Sequence, residues 1–241
     1  MTESGRGPGF VIEQNNATGE VALWKRELNH SAADRDGISL ADYIHAIYSF
    51  LRQLRCREVL MIGCGGGTLA TMLRRAGVTA ILVDNDKSSF DIAQRYFHLP
   101  PDIPCHVADG QAFLRGDHRR YDAIVLDAYG DSAIPRHLLK SAFFDLVKSR
   151  LKPRNAMLLV NVVVADDDDP TADRIALRLR RTWHHVRLLD SVASEDRNAI
   201  VLAGSVRTLK RPRLLMRPRT GTRKLAAELK ALDFRPLRSS P

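Results

Sequence analysis

Apolar residues fall into two alternating periods along most of the chain. Residues 58–62 hold the run Val59-Leu60-Met61-Ile62, followed at once by Gly63, Gly65, Gly66 and Gly67. A short run with no polar face predicts a strand buried on both sides, here entering a tight turn. The same reading predicts strands at 79–83, 104–108, 121–126 and 156–163, and helices near 68–76, 87–97, 110–115, 136–150 and 171–183. Upstream, Ser39 is placed as the cap of a helix through Leu54, since Leu40, Tyr43, Ile44, Ile47, Tyr48, Leu51 and Leu54 recur at helical spacing. Residues 19–28 read as a strand within a small hairpin, and residues 1–15 as disordered.

Alternating strands and helices argue for a mainly parallel sheet covered on both faces. Two further strands, 185–190 and 198–204, are separated only by the polar turn Ser194-Glu195-Asp196-Arg197. That length permits an antiparallel hairpin but no parallel crossover. The expected fold is α/β, with a Rossmann-like sheet of seven strands, the last antiparallel. The expected organisation is a short N-terminal extension or hairpin (1–38), a nucleoside-binding catalytic domain (39–204) and a basic C-terminal tail (205–241).

Composition narrows the class. A chain of 241 residues fits one α/β domain with small additions. Cys56, Cys64 and Cys105 are few, odd in number and not at metal-ligand spacing, which suits a reducing cytoplasm. The run Ala156–Ala165 is too short to span a bilayer, and no secretory leader is expected at the N-terminus. The net charge of +9 is concentrated in residues 205–241, where eleven Lys/Arg face only Glu228 and Asp233. Such a tail could bind phosphate backbones, but Phe234 is its only aromatic, so a solvated extension or an oligomer contact is the favoured reading.

Ligands of open α/β sheets sit outside the carboxyl ends of the strands. Glycines bring backbone close to a ligand there, and a helix N-terminus offers free N–H groups. Those strand ends carry Gly63 to Gly67, then Asp84, then Asp109-Gly110, then Asp127 followed by Tyr129, then Asn161. Asp84, after the second strand of the unit, can accept hydrogen bonds from both ribose hydroxyls. A nicotinamide fingerprint can be forced onto Gly65, Gly67 and Ala70, but it leaves Asp109 and Asp127 unexplained. A site for S-adenosylmethionine (AdoMet) accounts for both, with the acid after the third strand reading the adenine amino group. An otherwise parallel sheet ending in an antiparallel strand is also the layout of the class I AdoMet-dependent transferases. The run Asp166 to Asp169 reads as a helix-capping loop or as an electrostatic funnel for a cationic acceptor.

Five segments in order resemble the spermidine synthase family of polyamine aminopropyltransferases. They are Val59 to Gly67, Val83-Asp84-Asn85-Asp86, Val107 to Phe113, Tyr121 to Asp127, and Leu138-Leu139 with Ala142-Phe143-Phe144. Met61 stands where ordinary methyltransferases usually carry an acid. The resemblance implies that Gly63, Gly65, Gly67, Asp84, Asp109 and Gly110 bind the nucleoside. It implies Asp127 as catalytic acid/base, with Tyr129 and Asp131 toward the acceptor. The donor would be decarboxylated AdoMet or AdoMet, the acceptor an amine such as putrescine, and the assembly a homodimer; no metal and no membrane are implied. The sequence departs from the family at Gly66, where the family has an acid, and after Asp127, where Ala128-Tyr129-Gly130 precedes Asp131. The family's Y-H/Q-E motif has only a loose echo in Tyr43-Ile44-His45-Ala46. A methyltransferase and a non-catalytic nucleoside-binding protein with a basic interaction tail therefore stay open.

Overall fold

The computed structural model describes residues 2–7, 10–25, 28–130, 133–191 and 195–238. Four strands open the chain: β1 (Thr2–Gly7), β2 (Phe10–Asn15), β3 (Val21–Lys25) and β4 (Leu28–Ala33). They form an antiparallel sheet in that order. Residues 10–15, expected to be disordered, are thus part of a sheet. Ile12 is buried with Val21 and Leu23 against Ile92 and Phe97, partners too distant in sequence for local pattern to reveal.

Helix α1 (Asp42–Gln53) follows. Ala41, not Ser39, occupies its N-cap position, and the Ser39 hydroxyl accepts from the Ala41 N–H one turn earlier. The main unit then runs β5 (Glu58–Ile62), α2 (Thr68–Arg75), β6 (Thr79–Asp84), α3 (Lys87–Tyr96), β7 (Cys105–Val107), α4 (Gly110–Gly116) and β8 (Ala123–Leu126). It continues through α5 (Ser141–Arg150), β9 (Met157–Val164), α6 (Thr171–Leu179), β10 (Val186–Asp190), β11 (Arg197–Gly204), α7 (Thr222–Ala231) and β12 (Asp233–Arg235). The helix expected over 136–150 is split: a 3₁₀ turn covers Arg136–Leu139, and Lys140 is extended before α5 begins.

The large sheet has the order β12-β10-β11-β9-β8-β5-β6-β7. Pairs among β9, β8, β5, β6 and β7 are parallel, and β11 runs antiparallel to β9 and β10. The fold is the expected Rossmann-like α/β sheet, with an eighth strand that the pattern did not reveal. That strand, β12, is three residues of the basic tail. The tail is not a solvated extension. Leu209, Leu225, Leu229 and Leu232 are buried, and Phe234 packs 5.7 Å from Phe50 of α1.

Residues of β5 alternate between two cores. Val59 and Met61 face the cluster beneath α1, α2 and α7, while Leu60 and Ile62 face that beneath α4, α5 and α6. The chain leaves β5 toward β6 and β7, then crosses back so that β8 lies on the other side of β5. A ligand crevice forms where such strand order reverses, outside the carboxyl ends. Among the described residues no helix is long and apolar enough to cross a membrane.

Candidate active site

A cavity of about 690 Å³ opens at this reversal point, a volume typical of small-molecule sites. The predicted Gly63, Gly65, Asp84, Asp109, Gly110, Asp127 and Tyr129 all line it. Gly67 is set back as the N-cap of α2, and Asp131 lies outside the described residues. The three carboxylates project from the ends of β6, β7 and β8, as the spacing predicts. The small N-terminal sheet closes one side through Leu23, His30 and Ser31, a contribution the sequence did not announce.

The glycine-rich turn is held by the protein itself. Gly63 has φ +103°, and a Cβ there would sit 2.1 Å from the Asp127 carbonyl oxygen. The first turn and the end of β8 can approach only because that side chain is absent. Gly66 donates its N–H to the Ser31 hydroxyl at 2.8 Å, and a Cβ on it would meet the Phe97 ring at 2.7 Å. The Phe97 ring thus fills the room that an acid at position 66 would need. Gly66→Ala is expected to lower stability by about 1–3 kcal/mol through overpacking, with Phe97→Leu restoring much of it in urea unfolding.

Two of the carboxylates organise backbone. Asp84 accepts from the Cys64 N–H at 2.8 Å and the Asp86 N–H at 2.9 Å, which ties the end of β6 to the glycine turn. Each oxygen keeps a further lone pair for another donor. Asp109 caps α4 by accepting from the Ala112 N–H at 3.0 Å, and its other oxygen meets His137 Nε2 at 2.6 Å. Burial opposes ionisation of Asp109, but the Ala112 and His137 hydrogen bonds outweigh it and hold its pKa below the ordinary value. His137 was not singled out from sequence, because it reaches Asp109 only through the 3₁₀ turn that interrupts the expected helix.

Asp127 sits deepest. Its Oδ1 accepts from Asn161 Nδ2 at 2.7 Å and its Oδ2 from the Tyr43 hydroxyl at 3.3 Å. Burial raises its pKa above the ordinary carboxylate value, although both hydrogen bonds pull the other way. Burial and the neighbouring Asp127 charge raise the Tyr43 pKa, so its phenol stays a donor. Asn161 is 2% exposed, and its Oδ1 has no hydrogen-bond partner among the described residues. An orphan acceptor beside a half-buried carboxylate suits an incoming N–H group.

The outer wall is built from β9 and β11, which run past the end of β8. Val163 stands opposite Asn198, and the Asp196 N–H donates to the Ala165 carbonyl at 2.8 Å one step further out. Asn198 and Asp196 line the cavity mouth. Tyr129 presents only its ring, because its hydroxyl donates to the Asn161 carbonyl at 3.1 Å and accepts from the Val163 N–H at 2.7 Å. Asp166 to Asp169 do not line the cavity. Asp166 and Asp169 bind nearby backbone N–H groups, and Asp167 pairs with Arg197. Asp169 accepts from the Thr171 N–H at 2.9 Å, but Pro170, not Asp169, occupies the N-cap position of α6, so Pro170 is not its first helical residue. Among the described residues no cluster of three or more His, Cys, Asp or Glu could hold a metal.

Comparison with known proteins agrees with this architecture. A family model described as a methyltransferase domain matches residues 59–154. A probable polyamine aminopropyl transferase of Bifidobacterium longum is 34% identical over 113 residues, which cover 45% of this chain and 25% of that protein. The chain thus spans only about a quarter of that relative's length. The structure of a probable spermidine synthase from Corynebacterium glutamicum superposes with a TM-score of 0.75 at 14% identity, covering 98% of this chain and 91% of the other. A spermidine synthase in complex with the transition-state analogue AdoDATO gives a TM-score of 0.61 at 19% identity, covering 83% of this chain and 71% of that one. Over part of its length the sequence is thus similar to polyamine aminopropyltransferases, and its fold is similar to that of spermidine synthases.

Proposed function

We propose that the protein is a cytoplasmic transferase that moves an aminopropyl group from decarboxylated AdoMet to an amine acceptor such as putrescine. The observation that carries this reading is the convergence of Asp84, Asp109 and Asp127 on one cavity, with Asp127 held between Tyr43 and Asn161. The relatives' names support the reaction class.

The residues fit such a donor. Asp84 would take the ribose hydroxyls, Asp109 the adenine amino group, and the turn from Gly63 to Gly67 the edge of the nucleoside. When bound, the donor supplies an electron-poor carbon beside its sulfonium. Asp127 does the proton work. The acceptor amine is protonated near neutral pH and must lose a proton to expose its lone pair. A carboxylate of raised pKa, fixed by two donors, is suited to orient the amine and take that proton. Asn161 Oδ1 offers the amine a second acceptor. Further out, Asp196 and Asn198 would meet the far end of a diamine. Asp196→Ala is expected to raise KM for putrescine several-fold with kcat little changed, in steady-state assays.

A methyltransferase using AdoMet is the second reading, favoured by the missing acid at Gly66 and by the matching domain model. Calorimetric binding separates the two. Tighter binding of decarboxylated AdoMet and methylthioadenosine than of AdoMet is expected. A requirement for the donor carboxylate, with tight S-adenosylhomocysteine binding, would transfer the assignment to methyl transfer.

A further inference from the structure

The positive charge of the tail has no part in the reaction above, yet the fold displays it in an ordered way. From Lys210 to Thr220 the chain lies outside any helix or sheet, with bends at Met216, Arg219 and Thr220. Its residues alternate. Pro212 and Pro218 are buried and Leu214 and Met216 half-buried, while Arg211, Arg213, Leu215, Arg217 and Arg219 are exposed. Backbone bonds pin this strap in place. The Lys210 N–H donates to Gln53 Oε1 at 2.8 Å, the Arg213 N–H to the Ser49 hydroxyl at 3.0 Å, and the Arg219 N–H to Asp34 Oδ2 at 2.7 Å. Helix α7 runs alongside, leaving a groove of about 280 Å³ floored by Leu214 and Leu229 and rimmed by Arg211, Arg213 and Lys230.

Neutralisation within the tail is incomplete. Arg211 pairs with Asp233 and Arg219 with Asp36. Arg207, Lys210, Arg213, Arg217, Arg223 and Lys230 are exposed and have no carboxylate partner among the described residues. Along the strap the unpartnered cations are Lys210, Arg213 and Arg217, with exposed Leu215 between the two arginines. Guanidinium groups held at fixed positions and left unneutralised match an anionic partner, and their planar fork favours phosphate.

We propose that the strap and α7 form a docking surface for the phosphate backbone of double-stranded nucleic acid. Phe234, the tail's only aromatic, is turned inward onto Phe50, so no ring is offered for stacking on unpaired bases. Contacts confined to phosphate make the binding independent of sequence. An acidic peptide fits less well, because several strap N–H groups are already bonded to α1 and to Asp34 and cannot extend a peptide strand. The proposal does not depend on the aminopropyl reading.

The test is fluorescence anisotropy of the full chain with a labelled, mixed-sequence DNA duplex about 20 base pairs long, across a salt series. Micromolar binding is expected, with log K falling by about 0.9 per neutralised phosphate for each log unit of salt. The double variant R213A/R217A should bind about tenfold more weakly, with a salt slope smaller by about 2. R154A/R178A removes the same charge elsewhere and should leave the slope unchanged. Urea-unfolding midpoints should be equal in all three proteins, which reports their folding. Three results would each overturn the proposal: no duplex binding at low salt, equal losses in both variants, or tighter binding of a polyglutamate peptide of matched charge.

Discussion

Asp127→Asn is expected to lower kcat by about 10²–10⁴-fold, the usual contribution of a positioned general base. Donor affinity should change little, because Asp84 and Asp109 occupy other strand ends. The same substitution should not destabilise the protein. Burial raises the Asp127 pKa, so the folded state holds a proton there more tightly than the unfolded chain does. Between the ordinary carboxylate value and the raised one, the stability contributed by this group falls as pH rises. An uncharged amide removes that penalty and is expected to leave urea-unfolding stability equal or higher. The pH–rate profile follows from the same shift: activity falls as pH drops through the raised Asp127 pKa, above the range of a free carboxylate. Tyr43→Phe and Asn161→Ala should each reduce kcat less than Asp127→Asn and move that acid limb upward, since each removes a hydrogen bond that favours the ionised form.

The largest effect on stability is expected from Arg235→Ala. Arg235 bridges Asp190 at 2.8 Å and Asp173 at 2.8 Å, and the two carboxylate side chains are 0% and 3% exposed. Arg197 holds the other Asp190 oxygen at 2.7 Å. Removing one partner of a buried ion pair leaves an uncompensated charge and costs about 3–5 kcal/mol. The exposed Arg74–Asp102 pair has similar geometry at 2.7 Å, yet its side chains are 55% and 52% exposed. Arg74→Ala should therefore cost about 0–1 kcal/mol. Urea unfolding of the two variants distinguishes burial from pair counting. Burial alone would raise the Asp190 pKa, but its bonds to Arg197 and Arg235 outweigh this and depress it. That stabilisation is present above the unfolded carboxylate value and is lost as pH falls through the depressed one. Docking of β12 should accordingly loosen in acid.

These two sites were legible in the sequence to different degrees. The parallel sheet could be read because β5 and β8 are short apolar runs that stop at Gly63 and Asp127, and β9 is apolar but for Asn161. Asp84, Asp109 and Asp127 could be read because each lies at or within two residues of a strand's carboxyl end, and position at a strand end is a local property. Tyr43 was visible as a helix-face residue and as a loose echo of a family motif, but its bond to Asp127 joins positions 84 apart in sequence. His137 was hidden by the break at Lys140, where φ and ψ turn extended within an otherwise helical pattern. The tail misled for a related reason. Arg235 looks like one more solvated cation until Asp173 and Asp190 meet it, and β12 is too short to carry a period of its own. The N-terminal strands were obscured because Ile12 finds its apolar partners on α3, far along the chain.

The most direct measurement of the central claim is the identity of the nucleoside released when purified protein is given decarboxylated AdoMet and putrescine. Stoichiometric methylthioadenosine and spermidine, both lost in Asp127→Asn, are the predicted result. A folded, donor-binding protein that yields neither product, or whose output survives Asp127→Asn unchanged, would contradict the account.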